Sequence, residues 1–320
     1  MGVGRQRVGL ARGVLGARTL SVDATVLSPQ AATKARLQIH VCVALWGFTT
    51  ILGKLITLAA PALVLWRMMI VVGALSMLPR VWRGWSRLTG RLLASYALTG
   101  GIVAAHWVAF YTSIKLANAS VAATSLALAP VFLAVIEPLA MRSPFDAREL
   151  VLGAAVVPGV ALVVGGTPTG MRLGFLVGTL SALLAAACNV SNKRLVGRAD
   201  PLTVTHIEIA CGTAILAVAL PWLSRSRPLL PIPSTHDALL LVVLALACTV
   251  LPFTLALIAL EHLTAFSSQL AVNLEPIYAI LLAILLLGEQ HQLGPSFYAG
   301  VLIVFGAVFV HPLVIRADKQ

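Results

Sequence analysis

Apolar segments long enough to cross a membrane follow one another along most of this chain. From residue 37 onward they are separated by short turns rich in Gly, Pro and Arg, such as "GGTPTG" and "GRADP". A helix of about 20 apolar residues spans the ~30 Å hydrocarbon core of a bilayer. The pattern predicts ten transmembrane helices, at residues 37–58, 61–78, 92–113, 118–140, 147–165, 174–192, 202–222, 238–259, 265–287 and 296–315.

Composition places the chain in the membrane class. Hydrophobic residues make up 59% and charged residues 11%, and the mean hydropathy is +0.96. Soluble domains carry about 45–50% apolar and about 25% charged residues. The sequence therefore predicts an all-α polytopic membrane protein that is surrounded by membrane lipids.

The net charge of +12 is explained by membrane topology and gives no reason to expect a nucleic-acid partner, because the basic residues lie mostly between apolar segments. With the N-terminus inside, 17 Lys and Arg residues fall in cytoplasmic segments and 5 on the opposite side. Cytoplasmic loops are enriched in basic residues. We expect a multi-pass protein of the inner or cytoplasmic membrane with both termini cytoplasmic, residues 316–320 forming a short cytoplasmic tail.

Residues 1–36 differ from the rest of the chain, since they hold six basic residues and one acid, Asp23, without an apolar run long enough to span. Organelle transit peptides are also Arg-rich and poor in acids. Nothing else in the sequence indicates an organelle. We interpret residues 1–36 as a disordered basic cytoplasmic tail or an over-extended start, and whether they belong to the mature protein stays open.

The two halves of the chain resemble one another. "LALAPVF" around Pro130 aligns with "VNLEPIY" around Pro276 at an offset of 146, and "PALVLWR" aligns with "PLTVTHI". "ILGK" likewise aligns with "VSNK". Two pairs of glycines recur at an offset of 147, Gly153 with Gly300 and Gly159 with Gly306. Several anchors in one order indicate an internal repeat.

The repeat has five predicted helices in each copy, at residues 37–165 and 174–315. Because five is odd, the second copy must enter the membrane from the opposite side. Inverted repeats around a midplane site are typical of secondary transporters. We therefore expect two inverted five-helix repeats around a central cavity; the alternative is a repeat that serves packing alone.

Four ordered stretches carry a resemblance to a known family: "ALWGFTTILGK", "PALVLWRMMI", "SIKLANASVAATSLALAPVFLAVIEPLA" and "NLEPIYAILLAILLLGE". With them the chain resembles the EamA-type family of the drug/metabolite transporter superfamily. The resemblance implies a ten-helix bundle with a central cavity and alternating-access movement of small metabolites, often outward. The second copy has Ala185 in place of Trp46 and Ile207 in place of Arg67, so the two copies are not equivalent there.

Glu275 is the strongest candidate for a functional residue, since an ionisable group at membrane depth is costly and commonly functional. It lies near the middle of the ninth predicted helix beside Pro276, which removes a backbone donor. We expect this break to leave the carbonyls of Ala271 and Val272 unpaired and open to a ligand. Glu275 is interpreted as a proton carrier or a contact for a cationic group; a packing role is the alternative.

The fourth predicted helix has a matching break. Pro130 occupies the position that corresponds to Pro276, but Ala129 stands where the second copy has Glu275. We therefore expect a kink in both copies and a single proton or cation site.

Further candidates for a substrate-binding or coupling site are polar or aromatic residues at membrane depth: Tyr278, Asn273, His106, Tyr111, Trp46 and Arg67. Trp46 and Tyr278 suit a cavity wall or ordinary packing. His106 is expected either to titrate or to hydrogen-bond a neighbouring helix. Arg67 is expected either to snorkel toward the outer interface or to contact the substrate.

Two acids lie nearer the membrane interfaces. Glu208, beside His206, and Glu137, which precedes Pro138, are each placed where partial hydration is expected. Asn189 and Asn192 suit a pore lining or hydrogen bonds between helices.

Enzyme and metal motifs are missing from the sequence. It contains no HExxH, Walker or GxSxG motif, and its histidines show no metal-ligand spacing. The pair Glu289 and His291 is too sparse for zinc. The cysteines lie in apolar segments without CxxC spacing, at Cys42, Cys188, Cys211 and Cys248. We expect no enzyme activity, no metal and no cofactor.

The functional expectation is a secondary active transporter that exports small organic metabolites, amino-acid-like or related, by alternating access. Proton coupling is a hypothesis that depends on Glu275. The alternatives are an uncoupled facilitator or channel of the same fold and, less favoured, a membrane-embedded enzyme. Substrate identity, transport direction and oligomeric state are not determined by the sequence.

Overall fold

Helices make up all the regular structure in the part of the chain that the computed structural model describes, namely residues 29–86, 88–142, 147–195, 198–223, 228–252, 255 and 271–317. The α-helices are α1 (Pro29–Leu55), α2 (Ala60–Ser76), α3 (Pro79–Trp85), α4 (Gly90–Leu116), α5 (Ala119–Leu126), α6 (Ala129–Met141), α7 (Ala147–Gly166), α8 (Arg172–Leu195), α9 (Pro201–Leu223), α10 (Thr235–Val242), α11 (Glu275–Leu287) and α12 (Pro295–Ala317). A π-helical segment, Val243–Val250, continues α10, and short 3₁₀ helices occupy Thr169–Met171 and Glu289–His291.

Some predicted features lie outside the described residues. They include the tail before residue 29, and residues 256–270, where the predicted eighth helix ends and the ninth begins. The described part begins inside the predicted tail, since residues 29–36 are the first turns of α1.

Local signals in the sequence explain where the helices begin and end. Thr89 and Asn118 accept hydrogen bonds from backbone N–H groups of the first turns of α4 and α5, at 3.4 and 2.9 Å. Pro61 lies in the first turn of α2, where its missing N–H costs nothing. Gly288 ends α11 with a φ of 64°, in the left-handed region that glycine adopts without strain.

The long apolar helices confirm an all-α polytopic membrane protein. Among the described residues, five stretches are long and apolar enough to cross a membrane: Leu37–Leu55, Gly90–Leu116, Ala119–Met141, Thr169–Leu195 and Pro201–Leu223. The bent pair of α2 and α3 makes six if it is one span. Shorter apolar helices occupy Ala155–Gly166, Thr235–Val250, Glu275–Leu287 and Pro295–Ala307. The count of ten stays a prediction.

The connection between the second and third predicted helices, which contains "RVWRGWSR", is not the simple turn that the pattern predicts, because its first part is helical. Helix α3 begins at Pro79 and is bent by 93° from α2. Pro79 cannot continue the hydrogen-bond ladder of α2 but is suited to the first turn of a new helix. Val81 is fully buried while Trp82 and Arg83 are exposed, so α3 has one side packed against the protein.

Helices α6 and α11 begin at matching breaks, as the two prolines predict. Each has 13 residues, with proline in its first turn. The residue before α6, Leu128, has φ −81° and ψ −9°, and the residue before α11, Leu274, has φ −79° and ψ −12°. Each helix also ends at a residue with a left-handed backbone. The predicted fourth span is therefore two helices, α5 and α6, separated at residues 127–128.

The helices pack in pairs through both halves of the chain. Helix α7 packs on α12, α4 lies between α8 and α9, α1 contacts α11, α2 contacts α9, and α5 contacts both α8 and α11. Glycines let two pairs of backbones approach closely: a Cβ on Gly300 would lie 2.4 Å from the carbonyl oxygen of Gly159, and one on Gly212 would lie 2.4 Å from that of Gly100. These contacts hold α4, α9 and α11 around the buried polar groups described next.

Candidate functional site

Arg67 is the cation at the centre of the candidate site. It lies near the middle of α2, and only 5% of its surface is exposed. Its Nη1 donates to the hydroxyl of Tyr111 at 2.9 Å, and its Nε and Nη2 donate to Oγ1 of Thr249 at 3.1 and 2.9 Å. The ring of Trp107 lies over the guanidinium, with its centroid 3.8 Å from Cζ. Arg67 is thus held by α2, α4 and the π-helical segment.

In the described part of the chain, the charge of Arg67 is not neutralised by a salt bridge. Among the described residues, no carboxylate forms an ion pair with it. A buried charge is costly unless it is paired, and the hydroxyl groups and the indole ring offset only part of that cost. Because a guanidinium has five N–H donors, donors remain for a further ligand. The arrangement is suited to an anionic group.

The expectation that Arg67 snorkels toward the outer interface is wrong. Its hydrogen-bond partners and the indole ring lie inside the bundle, on α4 and on the π-helical segment. Gly53 of α1 makes room for one of them, because a Cβ at that position would lie 2.5 Å from Cε1 of Tyr111. Together these contacts outweigh the gain from hydrating the charge at the surface.

The π-helical segment positions Thr249. Its hydroxyl donates to the carbonyl of Leu244, five residues earlier, at 2.8 Å, while it accepts from Arg67. π-Helical turns are rare and occur frequently at functional sites, since they shift side chains from their α-helical positions. The wider turn is what points this hydroxyl at the guanidinium.

Glu275 begins α11 and lies in electrostatic reach of Arg67. Its side chain is partly buried. The carbonyl of Ala271, expected to be unpaired, instead accepts from the N–H of Leu274 at 2.9 Å. The break closes into a tight turn in which that carbonyl has a donor, whereas the carboxylate of Glu275 remains partly accessible.

Tyr278, the candidate on α11, contacts α1. The hydroxyl of Tyr278 lies 3.2 Å from Nδ1 of His40. Trp46 and Tyr278 are partly buried and pack with Val43 and Ala271. Asn273 lies in the turn before α11. Tyr278 and Trp46 therefore lie at the contact between α1 and α11.

His106 joins α4 to α8, so the structural alternative for this residue is realised. Its Nδ1 lies 2.9 Å from both the carbonyl oxygen and the hydroxyl of Ser181. Trp107 and Tyr111 come from the same helix and contact Arg67. His106 therefore helps to hold the helix that carries two partners of the buried cation.

The two acids expected near the interfaces differ from each other. Glu137 is partly exposed and pairs with Lys193, which agrees with its expected hydration. Glu208 is only 7% exposed, so the expectation of partial hydration is wrong for it. The backbone contact of α9 with α4 at Gly100 excludes water from its surroundings. His206, two residues before it, is bonded to Ser76 and Trp85.

Glu289 has a structural role that the sequence did not reveal. It is 1% exposed and accepts from the backbone N–H groups of Ala119 and Ser120, at 2.9 and 2.8 Å. A carboxylate there neutralises the positive end of α5 and satisfies two N–H groups that the helix cannot. The described residues contain no group of His, Cys, Asp and Glu arranged to hold a metal ion.

The sequence did not mark Thr249 or His40 as candidates for the site. Thr249 lies in an apolar run, where a lone Thr is commonly a contact between helices, and no pattern marks the π-helical turn. His40 lies near the start of the first predicted helix and is exposed. The basic character of Arg67 and the aromatic residues of "AHWVAFY" were the available signals, but only folding brings them together.

Comparison with known families decides the identity of the fold. The model of the EamA-like transporter family matches the chain twice, over residues 34–165 and 172–311. The chain belongs to the EamA-like transporter family. The two matches correspond to the two predicted copies, and the family is one of membrane transporters.

Two individual comparisons add one curated relative and one solved structure. Over 138 residues the chain is 33% identical to phosphoenolpyruvate/phosphate translocator 2, chloroplastic, of Arabidopsis thaliana; the match covers 43% of this chain and 35% of the translocator. A solved structure, described only as the crystal structure of a protein, is 16% identical, with a TM-score of 0.57 over 90% of this chain and 99% of the other. At that identity it shows the fold alone.

Proposed function

We propose that this EamA-like protein is a secondary active transporter of small amino-acid-like metabolites in the cytoplasmic membrane. The observation that carries the proposal is the buried Arg67, which has donors to spare and no ion-paired carboxylate among the described residues. Glu275 of the other copy lies in its electrostatic reach. One cation and one acid, offered by opposite halves, suit a substrate that carries both charges.

The polarity of the site determines how such a substrate binds. Its carboxylate takes the free donors of Arg67, and its ammonium group faces Glu275. Trp107 and Tyr111 supply apolar and aromatic surface beside the guanidinium. The Arabidopsis relative is named for phosphoenolpyruvate and phosphate, which are anions, and this supports an anionic group as the ligand of Arg67.

The proposed architecture is a ten-helix bundle of two inverted copies. The equal length and matching backbone of α6 and α11 support it, as do the two family matches. The contacts between the copies have counterparts with the roles of the copies reversed. The first helix of copy one (α1) packs on α11 of copy two, and the first helix of copy two (α8) packs on α5 and α6 of copy one. In the same way, α4 packs on α9, and the π-helical segment packs on α2. In such bundles the halves move against each other around a midplane site.

Proton coupling follows from the chemistry of a single carboxylate. Glu275 can hold a proton or the ammonium group of a substrate, and each excludes the other. If Glu275 binds the ammonium group when the site faces one side of the membrane and a proton when it faces the other, each transport cycle exchanges substrate for a proton. We propose that substrate leaves the cell while protons enter, with both termini in the cytoplasm.

The test is transport by purified protein in liposomes. Wild type is loaded with a radiolabelled panel of amino acids and short carboxylic acids, and efflux is followed with and without an inward proton gradient. At least one zwitterionic compound should move faster when the gradient is present. Glu137→Gln, at a surface pair, serves as the control and should behave as wild type.

Three outcomes distinguish the alternatives. Transport that is unchanged when the gradient collapses supports a facilitator and overturns the coupling. A fully active Glu275→Gln variant overturns the role of this carboxylate. Movement of anions but of no zwitterion overturns the amino-acid-like substrate while leaving Arg67 as an anion site.

A further inference from the structure

Two buried polar groups lie together on the cytoplasmic side of α4 and α9. Tyr96 has none of its surface exposed, and Glu208 is 7% exposed. The hydroxyl of Tyr96 and Oε1 of Glu208 are both buried without a hydrogen-bond partner among the described residues. They are close enough to interact electrostatically. Buried polar atoms usually have a hydrogen-bond partner, so two neighbouring atoms without one need an explanation.

We propose that Glu208 and Tyr96 form a second proton-binding site, which passes protons between the cytoplasm and the central site. A buried carboxyl group is stable when it is neutral, so Glu208 holds a proton while this region is closed. When it opens, the O–H bond of Glu208 breaks and the proton moves to a cytoplasmic water molecule. The inference rests on the proposed function, in that it supplies the inner end of the proton path.

Glycine packing places this pair between the central site and the cytoplasm. On α9, Glu208 and Gly212 lie one turn apart, and on α4, Tyr96 and Gly100 do the same. A Cβ on Gly100 would lie 2.1 Å from the carbonyl oxygen of Glu208. The backbones touch at Glu208 itself and at Gly212, and a Cβ on Gly212 would also lie 2.7 Å from Cε of Met68, the neighbour of Arg67 on α2. A seam of small residues lets helices separate or slide with little steric resistance.

The titratable and charged groups around Glu208 bear on whether it is the group that exchanges protons. From α8, the side chain of Asn192 donates a hydrogen bond to the carboxyl group of Glu208, so only its Oε1 lacks a partner among the described residues. Cys188 of α8 lies in electrostatic reach of Glu208, and Arg198 in that of Tyr96. The only charged residue of α2 is Arg67, in the central site.

The remaining titratable groups near the cytoplasmic end of α9 already have partners. His206 is bonded to Ser76 of α2 and to Trp85 of α3. Arg80 of α3 pairs with Asp200. Arg83, the other charged residue of α3, is exposed to solvent. Among the described residues, no cation forms an ion pair with Glu208, and Arg198 acts on Tyr96.

Infrared spectroscopy tests the site without a substrate. Full-length protein in nanodiscs is titrated from acid to alkaline pH, and the C=O stretch of protonated buried carboxyl groups is followed. Wild type should lose a component of this band as pH rises, and Glu208→Gln should lack that component at every pH. Glu137→Gln should keep it, because Glu137 is a partly exposed ion pair. Tyr96→Phe, which retains the carboxyl group, should shift the midpoint of the component.

The result that overturns the proposal is a pH difference spectrum of Glu208→Gln identical to that of wild type. Loss of the component on adding Na⁺ at constant pH also overturns it, in favour of a cation site. If Glu208→Gln does not yield folded protein, the Tyr96→Phe variant provides the test. A titration midpoint of the carboxyl C=O band that is the same in Tyr96→Phe as in wild type then rejects the proposed site. Glu275→Gln must retain the component. Failure of the transport assay leaves these spectra unaffected, so the two proposals fail separately.

Discussion

The breaks before α6 and before α11 have nearly the same backbone but different chemistry. Both place a proline in the first turn of a helix of 13 residues, and the preceding residues have almost identical dihedral angles. One break presents Ala129 and the other presents Glu275. The broken helix therefore belongs to the repeat unit, whereas the carboxylate belongs to one copy alone.

The opposite asymmetry is found at Arg67. The first copy has the buried cation, and the aligned position of the second copy is Ile207, which is fully buried in α9. The first copy supplies the cation and the second supplies the acid. The two copies thus share the broken helix, whereas the buried cation lies in the first copy and the acid beside the break lies in the second.

Replacing Arg67 should have the largest effect. Arg67→Ala removes three hydrogen bonds and the charge that we propose binds the substrate, so transport should fall by roughly 100-fold or more, since bonds to charged groups contribute about 1.5–3 kcal/mol each. Arg67→Lys keeps the charge but not the planar donor set and should lose roughly tenfold. Uptake into proteoliposomes measures both. Arg80→Ala, at an exposed pair, is the control.

Wild-type transport by Arg67→Ala would reject the cation as a substrate contact. Size-exclusion chromatography of each variant separates this result from a folding defect, because Thr249 and Tyr111 also lose a partner.

Moving the acid between the copies should have the next largest effect. Glu275→Ala should lower gradient-driven transport by roughly tenfold, the scale of one lost charged interaction of about 1.4 kcal/mol. Adding Ala129→Glu should not restore it, because the residue of the second copy that corresponds to Arg67 is Ile207. Transport with and without a pH gradient is the measurement. Recovery in the double variant would mean that the copies are interchangeable at this position.

Weakening the contact of Glu289 with the start of α5 should affect stability and not substrate specificity. Glu289→Gln keeps the shape of the side chain but replaces one acceptor oxygen with an NH₂ group, so one of the two hydrogen bonds from backbone N–H groups is lost. The free energy of unfolding should fall by about 2 kcal/mol. A thermal-unfolding assay in detergent measures this. Gln290→Ala, on the exposed side of the same loop, should leave the midpoint unchanged. A Glu289→Gln protein with a changed substrate preference would assign the residue to the site.

Replacing the two prolines should have the smallest effect and should act equally in both copies. Pro130→Ala and Pro276→Ala each leave a first-turn residue whose N–H needs no helical partner, so each should change stability by less than about 1 kcal/mol. Thermal unfolding of the two variants side by side checks this. A loss of several kcal/mol in only one of them would show that the matching breaks are held by different forces.

Much of the fold followed from local patterns, because the physical causes are local. Bilayer-length apolar runs, Pro130 and Pro276, and the caps at Thr89 and Asn118 act through neighbouring residues. The bend at Pro79 was missed, since helix and turn both suit a short Arg- and Trp-rich stretch. The environments of Arg67 and Glu208 were also missed, because their exposure depends on how distant helices pack.

The sequence by itself determined that this chain is a polytopic helical membrane protein with two related copies and a family resemblance that comparison bore out. It also marked Glu275 and Arg67 as charged residues at membrane depth. The tertiary structure alone decided that Arg67 turns inward to Tyr111 and Thr249, and that Glu208 is buried. A buried charge is stabilised by partners from other helices, and the order of residues along one chain does not reveal which helices meet.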